Sequence, residues 1–190
     1  TQEQLYHYLL CQWRGDLPIK DINEPPTYLT QPERWPALGN FSEQMMAVDT
    51  QNYLPQDILV KVDRAAMASS LETRLPFLDL RLLEFAWQLP LGQKIRDGSG
   101  KWVVKELLSK YIPKNLYDRP KQGFAVPIEH WLRGPLREWA EDLLKAEKLS
   151  ADGFDPIPIR YLWTQHLKGQ NHQYALWNIL TYRAWSDRWL

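Results

Sequence analysis

Apolar positions recur at helical spacing from one end of this chain to the other, and strand-like alternation is scarce. Leu5, Tyr8, Leu9 and Trp13 share one face, which predicts an opening helix. Over residues 16–41 the texture changes, with Pro18, Pro25, Pro26, Pro32 and Pro36 among polar residues. Prolines at that density remove backbone donors, so a long connection is expected. A loop of that length inside a compact domain is usually functional or flexible. Order is expected to resume at Pro55, well suited to a first helical turn, with Asp57 near the positive end of the dipole. Ile58, Leu59, Val62, Ala66 and Ser69 then trace one narrow face, with Lys61 and Arg64 off it.

Residues 75–78 should be extended, because Leu75 precedes Pro76. Asp79 can cap the next helix, whose core face is Leu82, Leu83, Ala86 and Leu89, until Pro90 ends it. After a turn at 97–100, a further helix should bury Val103, Val104, Leu107, Leu108 and Tyr111, stopping at Pro113. Residues 116–126 read as a basic, glycine-containing loop. A short helix at 127–133 closes at Gly134, and Pro135 opens another that carries Leu136, Trp139, Ala140, Leu143 and Leu144. A polar turn through Asp155 leads to a helix at 158–168, ended by Gly169. Asn171 can cap a last helix, apolar nearly all round over 174–182, which must pack deeply or dock against a partner. The pattern is all-α.

Composition narrows the chemistry. The 190 residues suit one domain able to bury roughly 70% of its unfolded surface. Lys and Arg total 23 and Asp and Glu total 23, so no whole-chain field attracts nucleic acid or anionic lipid. Cys11 is the only cysteine, which leaves no internal disulfide and no cysteine metal cage. The four histidines lie far apart without ligand spacing, and no metal site is expected. No apolar run spans a bilayer and no signal peptide is visible, so a cytoplasmic location is expected. The chain opens on Thr1 rather than Met, as an excised fragment would.

Three stretches depart from plain amphipathic patterning. Residues 59–79 combine small side chains with charges of both signs, Asp63, Arg64, Glu72 and Arg74 among them. These charges either form a partly buried ion-pair framework or line a site. Residues 118–124, Asp-Arg-Pro-Lys-Gln-Gly-Phe, place Arg119 and Lys121 in one loop stiffened by Pro120. A lysine there suits phosphate oxygens, and Arg119 could add a planar fork, although many surface loops carry two basic residues. Residues 97–101, Asp-Gly-Ser-Gly-Lys, lack the spacing of a phosphate loop and are better explained as a hairpin-like turn.

Taken in order, these stretches resemble the asparagine synthetase family in its glutamine-dependent bacterial form. The run Leu-Val-Lys-Val-Asp-Arg-x-x-Met-Ala…Leu-Glu-x-Arg-x-Pro-Phe-Leu-Asp occupies residues 59–79. Gly100-Lys101-Trp102, Tyr111-Ile112-Pro113, the 119–124 loop and the tail around His130-Trp131-Leu132 and Trp177 follow at family-like distance. The resemblance is strong over 54–190 and looser over 1–53. It implies the helical C-terminal half of an adenine-nucleotide alpha-hydrolase-like synthetase domain, with the parallel-sheet portion missing.

The resemblance further implies an enzyme that adenylates a carboxylate with ATP and Mg and amidates it with ammonia from glutamine. The family's Ser-Gly-Gly-x-Asp-Ser pyrophosphate loop is absent from these residues, so the chain alone is expected to be inactive. Upstream nucleotide-binding and glutaminase parts of the same polypeptide are the implied partners, and a homodimer is left open. Lys121 matches the family lysine that reaches the phosphates, which makes it the implied catalytic residue, with Arg119 beside it in nucleotide binding. Asp63, Arg64, Glu72 and Arg74 match positions that support the substrate wall. A non-catalytic helical interaction module, or an amidotransferase acting on a sugar acid, are the alternatives.

Overall fold

The computed structural model describes residues 1–13, 15–20, 22, 25–120 and 126–190. The chain is all-α, as its periodicity predicts, and the only strands among the described residues form a two-residue ladder. Its contacts define two compact units. A terminal unit joins Thr1–Pro25 to Gly123–Leu190, and a middle unit spans Pro26–Gln122.

The terminal unit holds a continuous apolar core. Helix α1 (Gln2–Leu10) starts in a capping box, where the Thr1 hydroxyl accepts from the Gln4 amide and the Gln4 side chain reaches back. After the middle unit come five more helices of this unit, numbered α7 to α11 in chain order: Ile128–Arg133, Arg137–Leu143, Ala146–Ala151, Pro156–Leu167 and Gln173–Trp189. Leu132, Ala140, Leu144, Leu149, Ile159, Trp163, Leu176 and Leu180 are sealed from solvent in one cluster. Each such aliphatic side chain contributes about 1.5–3 kcal/mol relative to exposure.

Helix α9 occupies ground expected to be a polar turn. Leu149 anchors it, and one buried leucine in a polar segment gives too little periodicity to announce a helix. Helix α10 begins two residues earlier than expected, because the Asp155 carboxylate accepts from the Ile157 amide at 3.0 Å. The Asn171 side chain accepts from the Gln173 amide at 3.1 Å, but the cap position of the last helix falls on His172, whose side chain makes no cap hydrogen bond, and not on Asn171 as expected. Helix α11 buries one face through Leu176, Ile179 and Leu180, while Tyr174, Tyr182, Trp185 and Trp189 remain exposed. Residues 18–20 are stitched into this unit: Lys20 donates to the Gly153 carbonyl and Asp155 to the Pro18 carbonyl, each at 2.9 Å.

Three polar side chains, those of Arg183, His166 and Ser186, are buried in this unit. Arg183 is 3% exposed and pairs with Asp152 and Asp187. His166 is fully buried, stacks on Trp163, and its Nδ1 accepts the His172 amide at 3.2 Å. Glu141 accepts from the Trp163 indole at 2.5 Å and from Arg160 at 2.6 Å. Burial raises the Glu141 pKa, but these two donors outweigh it and hold the carboxyl below its ordinary value.

The middle unit is built differently. Helix α2 (Phe41–Gln51) fills part of the stretch expected to be irregular up to Pro55. Asn40 caps it, accepting from the Glu43 amide at 2.9 Å while its own amide donates to the Glu43 carboxylate at 2.8 Å. Pro55 does not start a fresh helix. It sits in a widened turn, Leu54–Ile58, where the Leu59 amide reaches back five residues to the Leu54 carbonyl. Such a turn accommodates a ring that cannot donate and would crowd the carbonyl four residues before it.

Helix α3 (Leu59–Met67) follows with Ile58, Leu59, Val62 and Ala66 of the expected face half-buried, whereas Ser69, its last expected position, is exposed beyond the helix end. Leu75 is extended ahead of Pro76, but Pro76–Leu78 forms a short 3-10 turn rather than continuing extended. Asp79 caps α4 (Leu80–Gln88) and grips Arg81 through both carboxylate oxygens. Helix α5 (Leu91–Lys94) leads into β1 (Ile95–Arg96) and β2 (Ser99–Gly100), then α6 (Trp102–Leu108). Leu82, Val104, Leu107 and Tyr111, expected on core faces, are exposed, with Tyr111 at 76%. The buried apolar residues described in this unit are Trp35, Ala47 and Val48.

Candidate functional site

Helix α3 displays Asp63 and Arg64 on its exposed side, and neither makes an ion pair among the described residues. Glu72 and Arg74 follow in the exposed segment after α3 and pair with each other. With side chains 70% and 83% exposed, that pair is a solvent-facing contact and not the partly buried framework expected of these charges. Arg119 is exposed as well. Lys121, the residue singled out for catalysis, lies outside the described residues.

The turn at 97–101 is a hairpin and not a phosphate loop. Ile95 pairs with Gly100 and Arg96 with Ser99, leaving Asp97 and Gly98 as the two loop residues. Both have positive φ, 51° and 72°, the geometry that matches the twist of the flanking strands. The Arg96 guanidinium lies 3.6 Å from the Trp102 ring centroid and fastens the hairpin to α6.

Beside this hairpin stands a side-chain cluster that sequence reasoning did not find. The Lys105 ammonium donates to the Ser99 hydroxyl at 2.8 Å and to Asp118 Oδ1 at 3.1 Å. Lys114 reaches the other oxygen of Asp118 at 3.5 Å. The hydrogen bond and charge of Lys105, reinforced by Lys114, hold the Asp118 carboxyl below its ordinary pKa. Lys105 and Asp118 are thirteen residues apart, so no helical spacing could have announced the pair.

A cavity of about 450 Å³ opens between α2, α4, the hairpin and α6. Met46, Leu83, Ala86, Trp87 and Val103 give it apolar walls. Lys94, at one side, pairs with Glu43 at 3.4 Å and lies 5.2 Å from the Trp87 ring centroid. None of Asp63, Arg64, Glu72, Arg74 or Arg119 lines this cavity. Among the described residues no group of three or more His, Cys, Asp or Glu converges to hold a metal ion. No described helix is long and apolar enough to cross a membrane.

Comparison with known proteins places these features in context. The family model described as asparagine synthase matches residues 2–189. Asparagine synthetase [glutamine-hydrolyzing] 1 of Bacillus subtilis is 27% identical over 184 residues, covering 97% of this chain and 28% of that protein. A putative asparagine synthetase [glutamine-hydrolyzing] of Mycobacterium bovis is 37% identical over 144 residues, covering 75% of this chain and 22% of its own length. Amidase chyE of Penicillium rubens is 27% identical over 112 residues, covering 55% of this chain and 17% of its own length. No solved structure matches significantly. The chain spans about a quarter of the length of the curated synthetases it matches. With its 59–79 signature carried on α3 and the turn into α4, and the match running nearly end to end, the chain belongs to the asparagine synthase family.

Proposed function

We propose that this chain is the helical part of the synthetase half of an ATP-dependent, glutamine-hydrolysing amide ligase. The observation that carries the reading is the family match over residues 2–189. In the reaction a carboxylate oxygen attacks the α-phosphorus of ATP and pyrophosphate leaves. Ammonia nitrogen then attacks the acyl carbon, loses a proton, and AMP leaves. Upstream parts of the same polypeptide supply the pyrophosphate loop and the ammonia.

The role assigned to this chain is electrostatic. The Lys121 ammonium faces phosphate oxygens and offsets negative charge as it builds in acyl transfer, and Arg119 assists in holding the nucleotide. Asp63, Arg64, Glu72 and Arg74 support the wall beside the acceptor. Aspartate is the first acceptor to test. Other carboxylates, sugar acids among them, belong in the same acceptor panel.

The test uses the polypeptide encoded by the complete reading frame, with Mg-ATP, glutamine and a panel of carboxylates. One amide, one AMP and one pyrophosphate should form per turnover. Lys121→Ala should lower kcat by about 10²–10³ with little change in KM for ATP. Full turnover in that variant would overturn the assignment of Lys121. Absence of AMP-forming amidation with every acceptor would overturn the function itself. This chain alone should show no ATP–pyrophosphate exchange.

A further inference from the structure

We propose that the cavity between α2, α4, the hairpin and α6 is a binding site for a small organic anion, a monocarboxylate with an aromatic or branched apolar body. The inference stands apart from the ligase reading, because it uses none of the residues assigned to that reaction.

Three observations carry it. First, the size and walls suit a small molecule. The volume of about 450 Å³ lies within the range of small-ligand clefts, and Leu83, Ala86, Trp87 and Val103 offer apolar surface to a ring or short branched chain. Second, the charged lining is of one sign. Lys94 and Lys101 line the cavity, and no Asp or Glu does so among the described residues. Third, the two ammonium groups are not equivalent. Lys94 is matched by Glu43 at 3.4 Å and lies 5.2 Å from the Trp87 ring centroid. Lys101 makes no ion pair among the described residues, so its charge is the one left to be answered.

The backbone at Lys101 points the same way. Its φ of 60°, between β2 and α6, is left-handed, a region that disfavours any residue with a Cβ. Strained residues of this kind collect at ligand clamps. A carboxylate beside Lys101 gains an ion pair while its apolar body leaves water against the cavity walls. A ligand cation meets two ammonium groups and is repelled. A second carboxylate is left against apolar surface without a partner, which is unfavourable, so one negative charge fits best.

The experiment measures binding by calorimetry to the polypeptide encoded by the complete reading frame, without ATP or glutamine. The probes are hydrocinnamate, its neutral amide and acetate. Hydrocinnamate should bind with a Kd of about 0.1–1 mM, as ligand efficiency allows for its size, and acetate not measurably. The amide should bind about fivefold more weakly than the acid. Lys101→Met should weaken the acid about fivefold and leave the amide unchanged. Lys101→Gly should weaken the acid equally, with a thermal midpoint no lower than the parent's, because glycine relieves the left-handed strain. Ala86→Leu, which fills the cavity, should abolish binding of both. Equal affinity for acid and amide overturns the proposal. Affinity for the acid that survives both Lys101→Met and Ala86→Leu places the probe elsewhere, in the acceptor pocket for example, and overturns it too. No binding of any probe at tenfold higher concentration means that upstream chain covers the cavity, which also overturns it.

Discussion

His166 is an imidazole held neutral inside a charged neighbourhood. Its Nδ1 accepts the His172 amide, so the ring proton resides on Nε2, which has no partner among the described residues. Burial pushes the pKa of this ring down, and the Arg133 guanidinium nearby pushes it further, against weaker support from Glu129. Protonation at Nδ1 would also remove the acceptor that fastens residue 172 ahead of α11. The unfolded chain binds this proton near pH ~6.5, whereas the folded chain does so only at lower pH. Stability from this group is thus complete above that value and is lost as pH falls toward the depressed one. Thermal midpoints measured from pH 8 to 5 should decline below about pH 6.5, and His166→Gln, which keeps an acceptor but cannot titrate there, should flatten the decline. An unchanged slope in that variant would remove His166 as its source. Asp142 acts lower on the scale: Lys145 and Lys148 hold its pKa down to about 2, so its contribution fades only as pH falls from about 4 toward that value.

Helix starts are where individual residues become elements. Asn40 and Asp155 each satisfy an amide in the first turn of α2 and α10. Asn40→Ala and Asp155→Ala should each cost about 1 kcal/mol, measured by urea unfolding, and the Ser variants should recover most of it. Loss of nothing would mean water replaces these caps at no cost. Asn40 with Glu43 three residues on was visible in the sequence and marks the helix that periodicity alone passed over. Where strong punctuation coincides with a clear face, as at Asp79 and Gly134, the structure carries the expected cap. Pro55 shows the opposite, because a residue that normally opens a helix is carried through one by a single widened turn. The candidate site was legible only in part. The 59–79 signature is local and could be read directly, whereas the Lys105–Asp118 link joins residues whose proximity depends on how α6 and the 114–116 turn fold back.

At the scale of the molecule, the two units differ in what holds them. The terminal unit closes around a cluster of fully buried Leu, Ile and Trp side chains, while Leu71, Phe77, Leu80, Phe85 and Leu107 of the middle unit meet solvent. Backbone amides of α8, α10 and α11 should therefore resist hydrogen exchange longer than those of α4 and α6. Equal protection across both units would contradict that ranking. The seam between residues 18–20 and 153–155 adds a consequence for biogenesis. On a ribosome the first helix leaves the exit tunnel long before its partners exist. At about 5–20 residues per second, the roughly 130 intervening residues take on the order of ten seconds to be made. The middle unit is then the first to be complete, and α1 waits, unpaired, for the far end of its own chain to arrive.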